Sequence, residues 1–186
     1  MNWQKQFAQV IVLALVALGL TMPAGAQVLN STAQTITLQA VLSQSVTLTL
    51  SGNAVNFNLT GGSASNPGNT SITATTTWTL RPNVGALNVY AFFSNSASAL
   101  TDGAGNNIPS ADFQISNNGG AFTALTNTVP FGGANAGLRL STTPILGNNK
   151  TGTRTDVMNF NINLVPLPNL PAGTYTGTLT IQAQAI

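Results

Sequence analysis

The chain has 186 residues, 43% of them hydrophobic and only 4% charged, and it contains no His and no Cys. Its acidic residues are Asp102, Asp112 and Asp156, its basic ones Lys5, Arg81, Arg139, Lys150 and Arg154, for a formal net charge of +2. This composition excludes thiol and Ser-His-Asp catalysis, zinc centres of His or Cys, and disulfides, and it holds too little positive charge to bind nucleic acid strongly.

The N-terminus reads as a secretory signal. Lys5 supplies a positive start, Val10 to Leu20 an apolar run, and Pro23 precedes the small-residue site Ala24-Gly25-Ala26. Residues 1–26 are therefore expected to be removed on export, leaving residues 27–186 as one β-sandwich domain. The apolar run falls short of the about 20 residues that span a bilayer, and no later segment is long enough, so the mature chain is expected to lack a transmembrane segment. A chain of this length can bury a sizeable core without covalent staples. Its few charges do little to keep copies apart, which favours self-association.

Alternation with period two runs through the rest, as in strands with one dry and one wet face. Between Thr35 and Leu50, the apolar positions are Ile36, Leu38, Ala40, Leu42, Val46, Leu48 and Leu50, and Ser43-Gln44 divides the run into two predicted strands. Residues 27–43 are read as either the first strand of the domain or a segment available to pair elsewhere. Val55, Phe57 and Leu59 predict a short strand, and Gly61 to Asn69 a turn-rich loop. Ile72, Ala74, Thr76, Trp78 and Leu80 predict a strand whose other face is Thr73, Thr75, Thr77 and Thr79, ended by Pro82. Leu87, Val89, Ala91 and Phe93 alternate with Tyr90 and Phe92, so that strand is expected to be central and covered on both sides.

Ser116-Asn-Asn-Gly-Gly120 lies between two short apolar runs and predicts a hairpin, because Asn and Gly tolerate positive φ. Leu138 and Leu140 mark another strand, and Met158 to Leu164 alternate with asparagines. Tyr175 to Ala185 alternate with Thr and Gln. The sum is an all-β chain of roughly 8–10 strands in a single sandwich with Ig-like or Greek-key character.

The ending Leu170-Pro-Ala-Gly-Thr-Tyr-Thr-Gly-Thr-Leu-Thr-Ile181 resembles the closing strands of spore-coat-U-like domains and chaperone–usher pilin subunits. The resemblance covers about the last 20 residues. It implies an Ig-like sandwich used in bacterial surface structures, in the periplasm or outside the cell. Many members carry a disulfide near the first strands, which this chain cannot form.

Few side chains offer chemistry. Asp102, in Thr101-Asp-Gly-Ala-Gly-Asn106, could supply weak calcium ligation, but it lacks the carboxylate-rich alternation of a calcium loop and reads as a turn. Asp156 beside Arg154 reads as a surface ion pair worth about 0–1 kcal/mol. Three scattered aspartates make a poor glycosidase pair. No catalytic, metal or cofactor-binding residue is nominated, and no cofactor is expected.

The Thr-x-Thr runs at Thr73 to Thr79, Thr151 to Thr155 and Thr174 to Thr180 raise ice binding, which needs threonines stacked in constant register. Their irregular intervals are read instead as ordinary solvent-facing strand residues. Trp78, Phe57, Phe93, Phe160 and Tyr175 are read as core. Tyr90 and Phe92 are the candidate ligand-facing aromatics, against packing under a long loop.

These features point to a non-catalytic structural or adhesive surface protein, a fimbrial or coat-type subunit that assembles by β-strand addition. Its donated plugs would be Ile36, Leu38, Ala40 and Leu42, and its expected partners like subunits and a periplasmic chaperone. The alternatives are a monomeric carbohydrate-binding module with glycans as partners and, behind it, a secreted hydrolase.

Overall fold

The structure is a computed structural model that describes residues 31–82 and 85–186, so the expected leader at 1–26 lies outside the described residues. The chain divides into two compact units, residues 1–41 and 42–186. In the first unit, residues 31–41 carry no regular secondary structure and every side chain is exposed. Of the two strands predicted between Thr35 and Leu50, only the second is present as a strand.

The regular structure of the second unit is strands, with one short 3-10 turn. In chain order they are β1 (Ser45–Leu50), β2 (Asn66–Pro67), β3 (Ile72–Thr79), β4 (Gly85–Phe92), β5 (Leu100–Thr101) and β6 (Asn107–Ile108). A 3-10 turn at Ser110–Asp112 leads into β7 (Phe113–Asn117), β8 (Thr123–Ala124), β9 (Gly137–Ile145), β10 (Thr151–Ile162) and β11 (Thr180–Ala185). All pairings are antiparallel. One sheet runs β1-β3-β10-β7-β8, with β2 also on β10. The second runs β11-β4-β9, and β5 and β6 form a small hairpin.

The two larger sheets pack face to face, as expected of a sandwich. The core joins Ile72, Ala74, Met158, Phe160 and Ile162 of the first sheet to Ala91 and Phe93 on the chain of β4, with Ile108, Ile115 and Leu125 beside them. A smaller cluster of Trp78, Leu80, Leu87 and Ile145 closes one end. The predicted central strand is β4, flanked by β11 and β9. The predicted hairpin joins β7 to β8, with Asn118 and Gly119 at φ 51° and 75°.

Trp78 and Gly152 are register partners. The indole lies over the glycine, so a Cβ at position 152 would sit 2.6 Å from Trp78 Cζ2. The indole Nε1 donates to the Asn149 carbonyl at 2.9 Å, which fixes the ring. Gly152→Val should therefore destabilise the domain by about 1–3 kcal/mol through overpacking. Urea unfolding checks this, and an unchanged midpoint would contradict it.

Asp156 corrects the surface-pair reading. Its side chain is fully buried and faces the second sheet. Arg154 Nη2 and Nε donate to it at 3.0 and 3.1 Å, Asn117 and Asn118 Nδ2 at 3.1 and 3.0 Å, and Ser141 Oγ of β9 at 3.0 Å. Arg154 Nη1 also donates to Thr143 Oγ1 at 3.3 Å. Residues two apart share a strand face, so Arg154 and Asp156 both point inward and tie the sheets together.

Candidate functional site: an open groove between the sheet edges

β1 and β11 are edge strands on the same side of the sandwich, and beyond them the chain stops forming ladders. After β1, residues 51–59 contain no strand, only a bridge between Phe57 and Gly68. The strand predicted at Val55 to Leu59 is thus reduced to one lip of a groove. Before β11, residues 171–179 form the other lip, where the predicted strand from Tyr175 to Leu179 is reduced to a bridge from Thr176 to Thr101. Between the lips lies a groove of about 940 Å³. Phe57 and Leu59 line one wall, Tyr175 and Leu179 the other, and Ile72, Phe93, Phe113 and Phe160 are among the floor residues.

Each lip is held by bonds to neighbouring segments, and most of its backbone groups have no partner among the described residues. Asn66 is 1% exposed and anchors the first lip. Its backbone N–H donates to Asn161 Oδ1 at 2.8 Å, its Nδ2 to the Ile162 carbonyl at 2.8 Å, and its Oδ1 accepts from Thr60 N–H at 2.7 Å. Asn161 in turn donates to Gln114 Oε1 at 2.9 Å. Asn66→Ala would remove the partners of the Ile162 carbonyl and the Thr60 N–H and should cost about 1–3 kcal/mol. Thermal melts check it, and a loss under a few tenths of a kcal/mol would contradict it.

The second lip turns on Tyr175, whose hydroxyl donates to the Pro171 carbonyl at 2.8 Å. This tyrosine-to-upstream-backbone bond is the device of the tyrosine corner in sandwich domains. Gly177 lies so close to the Ala99 carbonyl that a Cβ would collide with it, which lets the lip lie flat on the β5 end of the hairpin. Between Gly173 and Leu179, Thr176 alone exchanges backbone hydrogen bonds with another described residue, Thr101. Unpaired main-chain groups beside an apolar floor form a template for one more strand.

The candidate plugs are exposed. Ile36, Leu38 and Leu42 are 85, 88 and 81% exposed, and Ala40 is exposed too. Large apolar side chains exposed in a row mark an interaction segment.

The other candidates lie elsewhere. Tyr90 and Phe92 are on the outer face of the β11-β4-β9 sheet, and both are buried. Phe131 covers them, with ring centroids 6.1 and 5.8 Å away, so they pack under a loop. Asp102 caps its own turn. Its Oδ1 accepts from the N–H groups of Ala104 and Asn106 at 2.8 and 3.0 Å, and its Oδ2 from Asn106 Nδ2 at 2.6 Å. The Asn106 side chain in particular holds the carboxyl below its usual range. Asp112 sits in the 3-10 turn, and desolvation raises its carboxyl. The sequence marks the plug row and the aromatic residues of the lips, but not the groove itself, because its walls come from segments that alternate like strands without pairing as strands.

No helix among the described residues is long and apolar enough to cross a membrane. The chain matches no family model, and no curated protein matches it.

Proposed function

We infer that the chain is a non-catalytic, exported structural subunit of the bacterial cell surface, of fimbrial or coat type, that joins its neighbours by β-strand addition. The observation that carries this reading is the coexistence, on the same chain, of a groove whose lips have backbone groups unpaired among the described residues and an exposed row of apolar plugs. In strand addition the main-chain hydrogen bonds supply affinity and alternate side chains fill the pockets. Residues 34–42 span about 30 Å when extended, as do the nine residues 171–179 of the second lip. Each large plug contributes about 1.5–3 kcal/mol on full burial.

A like subunit is the partner that brings the matching segment. Until it arrives, a periplasmic chaperone that covers the groove would prevent random edge pairing. The absence of His, Cys and Glu from the sequence supports a non-catalytic role, as does the engagement of Asp156 in a buried network.

Light scattering of the full mature chain tests the reading. The wild-type chain should form multimers whose mass grows with concentration, and Leu38→Asp should remain a folded monomer. A monomeric wild type at high concentration would refute assembly by this route.

A further inference from the structure

The outer face of the first sheet carries a regular grid of hydroxyls. The pairings of β3 with β1 and β10 align Ser45, Thr79 and Thr151 in one row, Thr47, Thr77 and Thr153 in the next, and Thr49, Thr75 and Thr155 in a third. Constant register, which the irregular sequence intervals did not suggest, is therefore present. Seven of the nine positions are exposed, and Thr75 and Thr79 are half-buried. Thr77 and Thr153 hydroxyls are 3.2 Å apart, and Thr47 Oγ1 donates to the Thr77 carbonyl at 3.4 Å, which links the central row.

The chemistry of this face narrows its ligand. No charged residue of the chain occupies a grid position, so nothing there attracts an ionic partner. No aromatic ring does either, and Trp78 points inward, so the face lacks the stacking platforms that sugars use. What remains is methyls and hydroxyls at fixed points, because a β-branched side chain is stiff at χ1. Their repeats are about 4.8 Å across strands and about 6.7 Å along them. The cross-strand repeat lies close to the shorter oxygen repeat of an ice prism face, and the along-strand repeat falls somewhat short of the longer one. Strand twist rotates β1 and β10 by about 20° to either side of β3, so the match is best at Thr77, in the middle of the central row.

We propose that this threonine face binds ice, holding surface water in lattice order through its hydroxyls while its methyls fill the gaps between waters. The claim rests on the grid alone and is independent of strand addition. The full mature chain is frozen slowly onto a cold finger, and its concentration in the ice is compared with that in the remaining liquid. Wild type and Thr123→Arg, an exposed position off the grid, should be enriched in the ice. Thr77→Arg should be excluded from it, with an unchanged circular dichroism melt showing that the fold is intact. Exclusion of the wild type would overturn the proposal, as would enrichment of Thr77→Arg equal to wild type. Retention on crystalline cellulose without retention in ice would overturn it as well, by assigning the face to a polysaccharide.

Discussion

A chain lacking residues 27–43 should be monomeric and should melt at a lower temperature alone than with a synthetic peptide of residues 34–42. The groove leaves backbone groups of both lips without partners among the described residues, and its wall residues Phe57, Leu59, Tyr175 and Leu179 are only half-buried, so the peptide would cover them. A ligand that binds only the folded state raises stability by about 2.7 kcal/mol at a hundred times its Kd. For a domain of this size that is a rise of several degrees. A peptide carrying Leu38→Asp should give no rise, because a carboxylate entering an apolar pocket loses its hydration without a partner. Scanning calorimetry reads both. Equal shifts from the two peptides would mean that the plugs do not seat in the groove.

The second large effect belongs to Asp156. Burial works against its ionisation, yet the hydrogen bonds from Arg154, Asn117 and Ser141 outweigh it and hold the carboxyl below the usual aspartate range. A carboxyl with a depressed folded-state pKa stabilises the fold above its unfolded value near 3.9, and that stability is lost as pH falls through the folded value. The wild type should therefore weaken on acidification from about pH 4 downward. Asp156→Ala leaves Arg154 without its counter-ion and Asn118 Nδ2 and Ser141 Oγ without their acceptor, so it should cost about 3–5 kcal/mol at neutral pH. Asp112 works in the opposite sense, since its carboxyl is raised by desolvation and its penalty is relieved on protonation. Chemical denaturation from pH 7 to pH 3 separates the two. An Asp156→Asn variant that keeps the full acid dependence would show that the network is not its source.

The strands that pair along their length were legible as alternation. β3 and β10 have their dry and wet faces, and β4 its two covered faces, where the residues put them, because each is flanked on both sides and pattern decides register. Alternation fails where it is read as proof of pairing. Residues 35–42, 55–59 and 175–179 alternate as regularly as β3, yet the first is exposed and the other two form groove lips. A period of two states which side chains share a face and leaves open which strand supplies the neighbouring hydrogen bonds.

Asp156 was misplaced for a related reason. Its spacing from Arg154 shows that the two share a face, but only β9 of the facing sheet, bringing Ser141, reveals that the face is interior. The threonine grid was missed because register between β1, β3 and β10 depends on connections of unequal length, which mask it in the linear chain.

Cross-linking between two populations of this cysteine-free chain tests the central claim most directly. One population carries Leu38→Cys, and the other carries a single cysteine at Tyr175, Leu179 or Ile181 on the second wall of the groove. Adjacent strands place same-face Cβ atoms about 4.5–5.5 Å apart, so mixing under mild oxidation should yield a mixed disulfide dimer with at least one wall position. It should yield none with a cysteine at Thr123, on the small β8 strand outside the groove. Mixed dimers formed equally at Thr123 and at the groove wall, or at no position, would contradict the account.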